Sequence, residues 1–366
     1  MNQKEVISGK QFFTLIYVFS IGSAVLVVPT VLLAVARNTA WVCAIIGTGS
    51  GLLFAGLLLG LIKKYPQSTL IDIAKKSCGK YVGGIISVLY LLVMLLEGSF
   101  LLRDISNFMT TQIVPETYSS WIHILIMIAV MYAAYLGIEV VGRTSEIFLP
   151  WVLVPFVLLI ILNIPQMKIE RILPLFYLKA DEIYIGSFYF LSNPFLELIL
   201  ILMVTPHVQK YEHVKKGLLY GVVASGFTII IVTLSCILVL GANIASMYLY
   251  PTYLLGKMIS IGQTIQHIEV LVAIIWMLSI FFKITIVFYG LKKGLGQLLN
   301  LNNTNFLNYP IGLILSAAAY YIIPNTTYFG YFVQNYWPYY LFILSVLIPC
   351  IFLVIGIFKW KSVTTQ

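Results

Sequence analysis

Apolar runs of fifteen to twenty-five residues recur along the whole chain, parted by short polar loops. A helix rises about 1.5 Å per residue and a bilayer's hydrocarbon core is about 30 Å thick, so runs of this length read as membrane spans. Ten spans can be laid out, over residues 11–35, 41–62, 83–102, 121–135, 146–164, 184–204, 217–240, 270–291, 309–323 and 337–358. Between the second and third lies 69–80, where Leu70, Ile71, Ile73 and Ala74 alternate with Asp72, Lys75, Lys76 and Lys80. It is too short and too charged to span, and reads as an amphipathic helix at the membrane face. A longer, semi-apolar segment occupies 241–267.

Two of the spans are poorly built for an uninterrupted helix. In the first, Gly22 and Ser23 sit near mid-depth and Pro29 follows. Glycine weakens a helix through backbone entropy, and Pro29, lacking an N–H, leaves the carbonyl of Val25 without its helical partner. In the sixth, Ser192-Asn193-Pro194-Phe195 lies about half-way through. Backbone groups freed at that depth are tolerated only where protein buries them or a cavity solvates them. Breaks in the first and sixth of ten spans are what a five-plus-five inverted repeat predicts, with a binding site at the midplane where the half-helices meet. The expected fold is therefore an all-α polytopic membrane protein. It is a single transmembrane domain over 1–366, with five-helix halves at 11–164 and 184–358, folded in the manner of LeuT.

Composition agrees: 60% of residues are apolar and 10% charged, and the mean hydropathy of +0.98 excludes an ordinary soluble domain. The first run is too long, and lacks the small-residue site, for a cleavable signal peptide. The net charge of +9 is distributed as a membrane protein requires and does not point to nucleic acid. With both termini in the cytoplasm, fifteen of the 22 Lys and Arg residues, from Lys4 and Lys10 to Lys359 and Lys361, fall on that side. Six fall outside: Arg37, Arg103, Lys168, Arg171, Lys179 and Lys257. That bias fixes the expected orientation. The four cysteines lack metal-ligand spacing and read as apolar filler.

Three ionisable residues fall within spans, where such groups mark functional sites by default. They are Glu97 in the third, Glu197 just after the break in the sixth, and Lys283 in the eighth. Counting rise along the helices places Glu197 and Lys283 about one turn apart in depth, and Glu97 about two turns from Lys283. The expected arrangement is a Glu197–Lys283 contact with Glu97 nearer the outer vestibule. Either a ligand site or a buried structural pair meets that description. His123, His207, His213 and His267 are scattered, and no phosphate loop, nucleophile elbow or zinc spacing points to catalysis.

Several stretches, in order, resemble the B subunits of GerA-type spore germinant receptors, which belong to the amino acid–polyamine–organocation transporter superfamily. They are Gly22 to Pro29 followed by Ala40-Trp41, Thr69-Leu70 leading to Gly79-Lys80, and Gly137 to Pro150 with Arg143 and Glu146. Then come Leu173-Pro174, Pro194-Phe195-Leu196-Glu197 through Pro206, Ile275-Trp276, Phe282-Lys283 and Tyr289. The resemblance implies a nutrient sensor without a cofactor in the inner membrane of a spore, assembled with an A-type membrane subunit and a C-type lipoprotein. It implies that Gly22, Ser23 and Ala24 meet the ligand from one half, with Ala24–Leu26 as a helix terminus suited to a carboxylate. Asn193 and Phe195 face them from the other half. Glu97, Leu101, Glu197, Ser279 and Lys283 complete the candidate lining. Glu97 is an acid where the resemblance implies an aromatic or neutral residue, which favours a sugar or polar amino acid as ligand. A proton- or cation-coupled amino-acid transporter is the alternative on the same residues.

Overall fold

The computed structural model describes residues 5–173, 179–259, 268–322 and 325–364, and over these the chain is almost wholly helical. Lys4, Pro174, His267 and the expected end of the ninth span at Ile323 lie outside them. The first crossing is α1 (Gly9–Ile21) with α2 (Ala24–Ala36), and the second is α3 (Ala40–Lys64). α4 (Leu70–Phe108) carries the third and runs on as a π turn to Ile113; α5 (Ser119–Leu136) and α6 (Ile138–Asn163) are the fourth and fifth. The sixth is α7 (Ala180–Ser192) followed by a 3₁₀ stretch, Leu196–Met203, and the seventh is α8 (Tyr211–Leu240). Two short helices, α9 (Ala242–Ala245) and α10 (Pro251–Met258), precede α11 (Glu269–Leu298), the eighth. α12 (Asn308–Tyr321) is the ninth. α13 (Thr326–Asn335), α14 (Trp337–Phe342) and α15 (Ile348–Thr364) make up the approach to the tenth crossing and the crossing itself.

Among the described residues, eight helical runs are long and apolar enough to cross a membrane. One of them, Ala24–Lys64, holds both α2 and α3, whereas α1 and α12, at 13 and 14 residues, are too short to count alone. α11 lies at the centre, against α1, α4, α5 and α6. The outer faces of α5, α6 and α12 carry exposed large apolar side chains such as Leu125, Trp151 and Leu313, a surface suited to acyl chains rather than water. Ile7 N–H donates to the His207 carbonyl at 2.9 Å, Gln67 reaches Val208, and the Tyr65 hydroxyl donates to the Phe352 carbonyl at 3.2 Å. The N-terminal segment and α15 therefore lie on one face, the terminal face.

Two expected boundaries shift. The fifth span begins not at 146 but at Ile138, because Gly137 at φ 95° reverses the chain in a single residue. Arg143 and Glu146 then lie in helix, in exposed pairs with Glu139 at 2.7 Å and Lys10 at 2.6 Å. The amphipathic segment at 69–80 is joined to the third span, and Thr69 starts it with a capping box to Asp72. Its apolar residues Leu70, Ile71, Ile73 and Ala74 are buried in protein rather than laid on lipid. It turns into the span at Gly79, where φ 81° and ψ 178° form a conformation open essentially to glycine alone. A Cβ on Gly79 would meet no atom within 4 Å, so backbone strain alone decides its effect. Gly79→Ala is expected to destabilise the protein by about 1–3 kcal/mol, read as a lowered unfolding midpoint in detergent. Gly84→Ala, equally open but helical, should be neutral or slightly stabilising.

Candidate functional site

The first break is slight. Gly22 and Ser23 interrupt the hydrogen-bond ladder, yet both keep right-handed dihedrals (φ −45°, ψ −65° and φ −87°, ψ −30°). α2 therefore starts almost where α1 stops, with no unwound stretch between them. The carbonyl of Val25, which Pro29 deprives of its helical partner, accepts a hydrogen bond from the Thr252 hydroxyl of α10 at 2.8 Å. The second break is deeper: after the turn at Asn193-Pro194, the chain does not resume an α-helix but runs as eight residues of 3₁₀. Runs beyond three or four are uncommon and often mark a functional hinge.

Lys283, on α11, lies between the two breaks and is fully buried. Its ammonium donates to the Ser23 hydroxyl at 2.8 Å and to the carboxylate of Glu197, and it pairs with Glu97 at 3.2 Å. An ammonium has three donors, and these partners take all three. The Ser23 hydroxyl in turn donates to the Asn193 side-chain oxygen at 3.4 Å, tying one break to the other. The Phe19 ring lies 5.4 Å from the ammonium, within cation–π range. Gly22 makes room for the lysine stem: a Cβ there would stand 2.9 Å from its Cδ and 3.0 Å from its Cβ.

The expected Glu197–Lys283 contact is present, but Glu97 is not in an outer vestibule; it joins the same ammonium. Counting rise from helix ends assumes an upright helix starting at the interface. From Gly83 to Ile113 the third crossing is about 45 Å long, well over the ~30 Å core, so its register in depth cannot be read from its ends. The other candidates divide. Ser23 and Asn193 are at the centre. Leu101 and Ala24 are buried without a polar role. Ser279 spends its hydroxyl on the Ile275 carbonyl one turn back, at 2.7 Å. Phe195 is turned away, its ring against Phe190 and the backbone of Gly51.

The charged cluster fills the space between the two breaks, and a small cavity adjoins it on the side away from the terminal face. This cavity, of about 70 Å³, is lined by Ser23 and Asn193 together with Asp104, Asn107, Tyr189 and Tyr250. The sequence reading ended the third span at Leu102 and so missed Asp104. The signal was present: Asp104 follows Glu97 by seven residues, about two helical turns on the same face.

The pattern of the spore germination protein family matches residues 6–327. The chain belongs to the spore germination protein family. Spore germination protein KB of Bacillus subtilis strain 168 is 24% identical over 370 residues, covering 98% of this chain and 96% of that one. Spore germination protein XB of Bacillus anthracis is 26% identical over 204 residues, 56% of each chain. This family member shares its fold with solved transporters of the LeuT type. Mhp1, a nucleobase-cation-symport-1 family transporter, superposes with a TM-score of 0.70 at 8% identity, over 93% of this chain and 75% of that one. MhsT, solved with L-phenylalanine, gives 0.67 at 11% identity over 97% and 99%. The five-plus-five, LeuT-like fold expected from the paired breaks is thus the fold of this spore germination protein, and family and fold together point to a receptor or transporter in a membrane.

Proposed function

We propose that this chain is the nutrient-sensing B-type subunit of a spore germinant receptor. It binds a small molecule, an amino acid or a sugar, between the broken first and sixth helices and the third and eighth, and a change in those helices triggers germination. The observation that carries this reading is the tie from Ser23 to Asn193 and from Lys283 to Ser23, Glu97 and Glu197. One buried cation joins four helices at the point where both halves are interrupted, so a ligand that disturbs any partner is felt by all of them. In this reading the halves are 11–164 and 184–358, the terminal face is cytoplasmic, and the membrane is the inner membrane of the spore. An A-type membrane subunit and a C-type lipoprotein receive the signal, and no catalysis is involved. Proton- or cation-coupled amino-acid transport is the second reading, favoured by the fold of Mhp1 and MhsT; an intramembrane charge pair would then carry the coupling.

Spores lacking this chain are expected to lose their response to at least one nutrient in a panel of amino acids, sugars and salts, and to regain it on complementation. An unchanged response, in a strain without redundant receptors, would favour transport, to be measured as uptake into liposomes.

A further inference from the structure

The cavity beside the charged cluster has a one-sided chemistry. Its lining holds a single charged side chain, Asp104, which has no ion pair or hydrogen bond among the described residues. The Tyr189 side chain lines the same space and is only 4% exposed, yet its hydroxyl, beside Asn193, has no hydrogen-bond partner of good geometry. A buried polar group left unmade is costly, so orphaned groups around a space call for an occupant. The local charge also lacks balance. Glu97, Glu197 and Asp104 supply three carboxylates against the one ammonium of Lys283, whose donors are all spent. When all are ionised, the formal charge of the group is −2. Excess charge of one sign deep in a membrane protein is relieved by a proton or by a cation.

The cavity suits one kind of cation. At about 70 Å³ it holds roughly two water volumes, enough for an ammonium with a carbon or two. Beyond the polar atoms its wall is apolar and aromatic, with Val27, Leu249 and Phe329. An alkali ion stripped of water needs oxygen on most sides, whereas an organic ammonium matches an acid and hydroxyls at one end and aromatic or aliphatic surface around its C–H groups.

Resting on the receptor reading, we infer that this cavity is the subsite for the ammonium group of the nutrient, with Asp104 as its counter-ion and Tyr189 as a hydrogen-bond acceptor. Ser23, which accepts from Lys283, and Asn193, which accepts from Ser23, both line the cavity and connect an ammonium seated there to the tie between the two breaks. The ligand class narrows to small amines and free amino acids, and sugars are excluded.

The test uses the purified full-length chain in lipid nanodiscs, with binding read by calorimetry and by the unfolding midpoint. The probes are methylammonium chloride, glycine, N-acetylglycine, glucose and potassium chloride at matched ionic strength. Methylammonium and glycine should bind and raise the midpoint, while N-acetylglycine, glucose and potassium should not. Asp104→Asn should weaken glycine binding about tenfold or more, and Asp104→Glu should retain it. Should Asp104→Asn fail to fold, Tyr189→Phe and the glycine against N-acetylglycine comparison decide the matter. No binding by either amine, equal binding of N-acetylglycine or glucose, or an equal effect of potassium would each overturn the inference. The two readings fail separately. Asp104-dependent amine binding in a chain whose loss leaves spores fully responsive removes the receptor function and keeps the subsite. Loss of response without amine binding does the reverse.

Discussion

Lys283→Met should destabilise the folded chain by about 3–5 kcal/mol, the typical effect of removing one partner from a buried ion pair. Methionine keeps the length and apolar character of the stem, so packing against Gly22 and Phe19 changes little. What remains is Glu97 and Glu197 facing one another in the core without a counter-charge, and Ser23 without its donor. The same logic predicts recovery. Adding Glu97→Gln and Glu197→Gln to Lys283→Met removes the unpaired acids, and such replacements are often neutral, so the triple variant should unfold close to the wild-type midpoint. Fluorescence-detected unfolding in detergent measures both, and a triple variant no more stable than Lys283→Met would show that the cluster is not held by charge. Function should part from stability here. Glu197→Gln leaves Lys283 paired with Glu97, so the chain should still reach the membrane, yet the spore's nutrient response should be abolished. A normal response would remove Glu197 from the mechanism.

Gly22→Val is the second large effect. Even the first carbon of a side chain would stand 2.9 Å from the Lys283 Cδ and 3.2 Å from the Phe19 carbonyl oxygen. The lysine stem cannot easily give way, because its ammonium is held at three points. Either α1 and α2 move apart or the ammonium leaves its partners. Overpacking of this kind costs about 1–3 kcal/mol in a soluble core, and here it falls on the tie between the two breaks. The expected result is membrane-inserted protein with no nutrient response. Gly49→Ala, where a Cβ meets nothing within 4 Å, serves as the control and should respond normally.

The depth of Glu97 shows where sequence reasoning stops. That Glu97, Glu197 and Lys283 are the candidates to inspect followed from the rarity of charge inside apolar runs. That all three meet did not, because helix tilt and the length of α4 set their heights, and those depend on packing with neighbours. Val25 makes the same point. Pro29 dictates that its carbonyl is free, but the donor, Thr252, is 227 residues away in a segment with no pattern to announce it. The 3₁₀ form of Leu196–Met203 was equally hidden, since its residues would serve an α-helix as well.

The sequence by itself determined the membrane class, the spans, the paired interruptions and the charged residues between them. Each of these follows from local chemistry: apolar length, the missing N–H of proline, and the cost of burying charge. Only the tertiary structure decided that Lys283 uses every donor on its own chain, that the gap between the two breaks is filled, and that a cavity opens beside Asp104. Those outcomes depend on distances between helices remote in sequence, which packing sets and no local pattern encodes.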